Sequence, residues 1–148
     1  MTSRDDVLTG ELFTGLSAAQ RSWLAETVAV RTFQPGEMIL HEKDPATEAF
    51  LLQKGAVEVT RAGEGVFVRL DAGEIFGEIA MVTGRRRTAT VTALTEAECL
   101  VIPQDTFRRL LHEDHHFALA VLEIVIRRLA ELESLVTSPA PRLGPSRP

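Results

Sequence analysis

Phe76-Gly77-Glu78-Ile79-Ala80, followed after six residues by Arg87-Thr88-Ala89-Thr90-Val91, is the stretch around which this sequence is organised. Gly77 has no Cβ, so another group can approach its backbone closely. Residues 78–82 can form one helical turn, whose first N–H groups lack intrahelical partners and favour negative charge. Arg87 offers a planar guanidinium that matches phosphate oxygens. Glu78 offers a carboxylate that can accept from a sugar hydroxyl, and Thr88 and the N–H of Ala89 arrive at the start of the next strand. Together these groups suit a small anionic ribose phosphate. Taken singly they say less: a Gly-Glu pair after a strand is usually a turn with a solvated acid, and Arg85-Arg86-Arg87 alone reads as a solvated face.

Around this stretch the apolar residues alternate with period two. Short strands are predicted over 38–41, 49–53, 57–60, 66–70, 88–94 and 99–102, with turns at Pro35-Gly36, Asp44-Pro45, Lys54-Gly55, Gly63-Glu64-Gly65 and Asp71-Ala72-Gly73. Many short strands at this spacing indicate a sandwich or barrel. Upstream, Leu8, Leu12, Phe13 and Leu16 stand at roughly helical spacing. Ser17 can cap a following helix that buries Leu24 and Val28 and leaves Trp23 at its edge. After Pro103 the period returns to 3.6, giving a short helix over 104–111 and a longer one over 115–136. Residues 137–148 carry Pro139, Pro141, Pro145 and Pro148 and are expected to form a flexible tail. The expected organisation is one domain over 1–136 and the tail, which suits a chain of 148 residues.

The paired segments resemble the signature of the cyclic-nucleotide-binding domain family: F-G-E-(L/I)-A, a spacer, then R-(S/T/A)-A-x-V. That family includes the effector domain of catabolite activator proteins, the regulatory subunits of cyclic-nucleotide-dependent kinases, and cyclic-nucleotide-gated channels. Glu11-Leu12-Phe13-Thr14-Gly15-Leu16-Ser17 is similar to the family's opening segment. Phe33-Gln34-Pro35-Gly36-Glu37 is similar to its first strand and turn, and Leu52-Gln53-Lys54-Gly55-Ala56-Val57-Glu58-Val59 to its central hairpin. The resemblance spans about residues 11–136. It implies a mainly β fold with flanking helices (α+β): a β jelly-roll or double-stranded β-helix barrel with N-terminal helices and a C-terminal helix pair.

The resemblance also implies roles. Glu78 accepts the ribose 2′-hydroxyl, Arg87 pairs with the cyclic phosphate, Thr88 donates its hydroxyl to that phosphate, and the N–H groups of Gly77, Ala80 and Ala89 complete the cradle. Phe76, Ile79 and Val91 belong to the same ligand-binding set. Within the arginine run the step to Thr88-Ala89 selects Arg87, leaving Arg85 and Arg86 at the surface, where either can help attract an anion. The ligand is expected to be cAMP, because bacterial members more often use it. Cyclic GMP stays open, since a threonine at this position can also reach the amino group of a syn guanine. The C-terminal helix is expected to close over the base, with Leu132 and Glu133 where catabolite activators make base contacts.

That helix is apolar on two sides. Leu122, Val125, Leu129, Leu132 and Val136 follow the 3-4 spacing of a coiled-coil seam, while Phe117, Ala118, Val121 and Ile124 point elsewhere. Two arrangements meet this pattern: both sets bury in one monomeric core, or the seam pairs two copies into a homodimer through helix 115–136.

Other signals narrow the function. Hydrophobic residues make up 45% and charged residues 25%, with a net charge of −5, which argues against a surface built for nucleic-acid phosphates. Where the family's transcription factors continue into a helix-turn-helix this chain has the proline-rich tail, so no direct DNA contact is expected, and the output is expected to pass to an unidentified protein partner or to another part of a longer chain. The N-terminus is polar, and the apolar run 117–126 is interrupted by Glu123 and too short for a bilayer, so a cytoplasmic protein of bacterial type without membrane contact is expected. Cys99 has no cysteine to pair with and reads as a packing residue. His112, Glu113, Asp114, His115 and His116 form a cluster at a helix junction, but no second ligand group stands out and no metal or cofactor is expected. There is no nucleophile–base set and no P-loop, so the chain is not expected to be an enzyme. Two rivals are a domain that kept the fold and lost the ligand, against which Glu78 and Arg87 argue, and a cupin-like metal enzyme, which needs strand histidines where only His41 is near one.

Overall fold

The computed structural model describes residues 11–137, with side chains described over 12–65 and 68–131. A 3-10 turn over Glu11–Phe13 and helix α1 over Ala18–Thr27 lead into β1 Ala29–Phe33, β2 Met38–Leu40, β3 Glu48–Lys54, β4 Ala56–Arg61, β5 Gly65–Asp71, β6 Ile75–Phe76, β7 Thr90–Ala93 and β8 Ala97–Pro103. Helix α2, Glu78–Thr83, sits between β6 and β7, and helices α3, Gln104–Glu113, and α4, His115–Thr137, follow the strands.

The strands form two antiparallel four-stranded sheets, ordered β1-β8-β3-β6 and β2-β7-β4-β5. The space between the sheets is filled by Phe33, Phe50, Leu52, Phe76, Val57 and Val91 among others. Alternate residues of β3 and β8 point the other way: Ala49, Leu51, Leu100 and Ile102 join Phe13, Leu24, Met81, Phe107 and Phe117 in a second core under the helices. Because side chains alternate across a strand, burial on both faces turns an alternating pattern into a continuous apolar run. This explains why β3 and β8 read as unbroken apolar stretches, whereas the other sheet has one open face. The architecture is the expected β jelly-roll barrel with helices at both ends.

Local chemistry fixes the helix ends. Ser17 Oγ accepts from Gln20 N at 3.1 Å and Gln20 Oε1 accepts from Ser17 N at 2.8 Å, a reciprocal cap that starts α1. Asp114 Oδ1 accepts from His116 N at 3.2 Å at the start of α4. Within the histidine cluster at this junction His116 has a structural use: Thr14 Oγ1 lies 2.7 Å from its Nε2, tying the segment after the 3-10 turn to α4. Among the described residues no group of His, Cys, Asp and Glu is arranged to hold a metal ion. Cys99 is buried between the sheets, and burial pushes its thiol up to about 12, with a smaller lowering by the charge of Arg31 and a smaller raising by that of Glu98.

Helix α4 corrects one expectation. Leu122 and Leu129 are each 52% exposed, as a seam requires, but Val125 packs against the helical core. It follows Val121 by one helical turn, and Val121 is buried, so the two share a face. The exposed apolar stripe is instead Leu119, Leu122, Ile126 and Leu129. Phe117, Val121 and Ile124 point inward as expected. The helix runs through Thr137, one residue into the expected tail of 137–148, whose remainder lies outside the described residues, as do the side chains of Leu132, Glu133 and Val136. Among the described residues no helix is long and apolar enough to cross a membrane.

Candidate functional site

The chain leaves the barrel at Phe76, whose ring stacks on Phe50 at 5.1 Å, and turns at Gly77 into α2. Gly77 has φ of 80°, and a Cβ there would sit 2.9 Å from Arg87 Nη1. Both the backbone angle and the close approach call for glycine. The neighbour that a side chain there would crowd is the buried guanidinium of Arg87.

Arg87 is 6% exposed. Its Nη2 donates to Glu48 O at 2.7 Å and its Nη1 to Gly77 O at 3.3 Å. Its backbone is pinned as well: Arg87 N donates to Asp44 O, and Lys43 N donates to Arg87 O, each at 2.9 Å. Burial pushes the guanidinium pKa down, against the opposing charges of Glu48 and Asp44. An arginine stays cationic regardless, so a fixed positive charge stands behind Gly77. Arg86 is exposed and donates to Lys43 O at 3.1 Å, bracing the same turn, and Arg85 is exposed.

Glu78 is 2% exposed and opens α2. Its Oε2 accepts from Arg128 Nη1 at 2.9 Å, and Arg128 Nη2 lies 3.8 Å from Glu74. Arg128 belongs to α4, so the long helix reaches the barrel through an ion pair with the cassette carboxylate. A buried carboxylate requires such a partner.

These residues surround one pocket of about 380 Å³, in the range of small-molecule sites. Phe76, Gly77, Glu78, Ile79 and Ala80 form one side, and Arg87, Thr88, Ala89 and Val91 another. Nine of the eleven residues singled out from sequence therefore meet around a single cavity, and the other two, Leu132 and Glu133, lie outside the described side chains. Thr88 sits exposed at the mouth, and its carbonyl accepts from Arg61 Nε at 3.2 Å.

Sequence reading missed the opposite wall. Val59, Arg61, Val68 and Arg69 come from the β4–β5 hairpin, and Arg127, Arg128, Leu129 and Glu131 from α4. The signal for Arg128 was an Arg-Arg pair inside an otherwise apolar helix segment. The pair alone does not say which arginine faces the barrel, since adjacent residues of a helix point about 100° apart.

Comparison with known proteins places this stretch within a family. The model of the cyclic nucleotide-binding domain family matches residues 30–114. The cAMP-dependent protein kinase regulatory subunit of Yarrowia lipolytica is 34% identical over 101 residues, covering 68% of this chain and 27% of that protein. Glutaminase 1 of Bradyrhizobium diazoefficiens is 37% identical over 121 residues, covering 82% of this chain and 19% of that protein. The chain thus spans about a quarter or less of the length of these curated relatives. Among solved structures, the catabolite activator protein of Thermus thermophilus superposes with a TM-score of 0.71 at 24% identity, over 87% of this chain and 63% of that one. The sensor domain of the transcriptional regulator DNR from Pseudomonas aeruginosa gives 0.74 at 22% identity, over 88% and 96%. At these identities the structures speak for the fold, while the family model covers more than half the chain and includes the whole cassette. This protein belongs to the cyclic nucleotide-binding domain family.

Proposed function

We propose that this chain is a receptor module that binds cAMP in the pocket between the 76–91 cassette and α4, and passes occupancy on through α4. The observation that carries the reading is the joint placement of Arg87 and Glu78: a buried cation behind a glycine, and a buried carboxylate beside it, on one 380 Å³ cavity. In this reading Arg87 meets the cyclic phosphate together with Thr88 and the N–H groups of Gly77, Ala80 and Ala89. Glu78 accepts the ribose 2′-hydroxyl; a carboxylate has room for this bond beside the one from Arg128. Cyclic GMP is the competing ligand. The module carries no catalytic step: it is a sensor, and its output belongs to another protein or to a further part of a longer chain. Relatives as unlike as a kinase regulatory subunit and a glutaminase share this stretch, which supports a module whose output lies elsewhere.

The ion pair with Arg128 gives the helix a reason to respond. Ligand contact at Glu78 changes the group that holds α4, and a ligand shifts a helix only through such differential contact. The exposed stripe Leu119, Leu122, Ile126 and Leu129 has the 3-4-3 spacing of a paired helix. In this reading it joins two copies side by side, beside the pocket wall that Leu129 also lines.

A second reading keeps the fold without the ligand. It is favoured by the satisfaction of Glu78 within the chain, since Arg128 already pairs it. Titration of the wild type with cAMP decides between the readings, absence of binding favouring the second, and two variants then locate the contact. Glu78→Ala is expected to weaken cAMP binding by ~1.5–3 kcal/mol, the value of a hydrogen bond to a charged group. Arg128→Met is expected to weaken it by about tenfold, because the buried carboxylate loses the partner that orients it. If both variants bind cAMP as tightly as the wild type, Glu78 has no part in ligand recognition.

A further inference from the structure

Helix α2 is gripped at both ends by the C-terminal helices. At its first residue Glu78 is held by Arg128 of α4. In its last turn the carbonyl of Met81 accepts from Arg108 Nη1 of α3 at 3.0 Å. Only the first of these contacts belongs to the pocket.

The Met81 carbonyl needs an explanation. The last four carbonyls of a helix have no intrahelical donor. In α2 the Gly84 N–H closes one bond, to Ala80 O at 2.9 Å. Met81 is fully buried in the helical core with Phe107 and Leu110 of α3, so water is kept from its side chain. Arg108 answers its carbonyl from outside. The arginine is exposed as a residue, and only its guanidinium reaches over to the helix end. Cations are favoured at that end of a helix.

The neighbouring Arg109 points the other way. Its guanidinium lies 4.1 Å from the centre of the Trp23 ring on α1 and its Nε donates to Glu113 at 3.0 Å. Two consecutive arginines therefore tie α3 to α2 on one side and to α1 on the other. Phe117 of α4 packs edge-on to Phe107 of α3 at 5.2 Å, so a shift of α3 is felt by α4.

We propose that Arg108 is a positioning residue that couples the pocket to the C-terminal helix pair: displacement of α2 by a ligand at residues 77–80 is passed to α3 through the Arg108–Met81 hydrogen bond. This rests on the receptor reading above and adds a second route to α4, independent of Glu78 and Arg128. Arg108 touches no ligand. Its removal leaves the cassette groups in place and acts on the response to binding.

The test uses hydrogen exchange on the full chain with and without cAMP, beside calorimetric titration of the same samples. Arg108→Met keeps the aliphatic stem and removes the donors; Arg108→Lys restores a cationic donor. In the wild type cAMP changes exchange at 78–84 and at 104–131. In Arg108→Met the change at 78–84 remains, while the change at 104–113 falls by about half or more, as for mutations along a coupling route. Arg108→Lys recovers most of it, which general damage to α3 would not allow. A response at 104–113 in Arg108→Met equal to that of the wild type overturns the coupling while cAMP binding stands. Equal loss in Arg108→Met and Arg108→Lys also overturns it, as a packing defect. Wild-type protein that takes up no nucleotide overturns the receptor reading, and the coupling with it.

Discussion

Arg87→Ala is expected to weaken cAMP binding by ~3–5 kcal/mol, roughly two hundred- to several thousand-fold in Kd. The size follows from burial. Arg87 is 6% exposed, so a phosphate seated against it is shielded from water. Deleting the cation leaves that phosphate with neutral donors alone and its charge unpaired. The substitution also strips donors from the part-buried carbonyls Gly77 O and Glu48 O, at a cost of ~0.5–1.5 kcal/mol of fold stability for each hydrogen bond lost. A thermal melt on the same sample separates the two effects, because titration well below the midpoint reads binding by folded protein alone. Arg87→Lys keeps the charge and loses the planar fork, and should fall between wild type and alanine. Binding by Arg87→Ala within a few-fold of wild type would remove the phosphate contact from the account.

Gly55→Ala is expected to be the most damaging single methyl in the barrel. Gly55 turns β3 into β4 with φ of 92°, a conformation that costs an L-residue ~1–2 kcal/mol. A Cβ there would lie 2.2 Å from Glu96 O and 2.7 Å from Thr95 Oγ1. The first neighbour is backbone, so the strand connection before β8 has to move, at a further ~1–3 kcal/mol. The sum, about 2–5 kcal/mol, is a large share of the 5–15 kcal/mol that holds an ordinary domain together. A drop in melting temperature of roughly 6–20 °C is expected. An unchanged melt would mean that the 54–56 turn does not have this conformation.

The parts of the fold legible from sequence were those where one local rule dominates. Ser17 and Gln20 announce a helix start, Pro35-Gly36 and Lys54-Gly55 announce turns, and period-two alternation marks β4. The cassette was legible because its roles are crowded into sixteen consecutive residues, 76–91. Contacts between distant segments were not. Glu78 and Arg128 are 50 residues apart, and Met81 and Arg108 are 27 apart. Nothing in the pattern of α4 says which of its arginines faces the barrel until Phe117 and Val121 have set its rotation. The same rotation decided the exposed stripe. Val125 and Ile126 are adjacent and both apolar, and only packing against the helical core settles which one turns outward.

The central claim is that the cavity bounded by Gly77, Glu78 and Arg87 is a cyclic-nucleotide site, and isothermal titration of the wild-type chain with cAMP, and with cGMP in parallel, tests it most directly. Saturable heat with one cAMP per chain and weaker binding of cGMP are expected. Absence of binding by both nucleotides would contradict that claim.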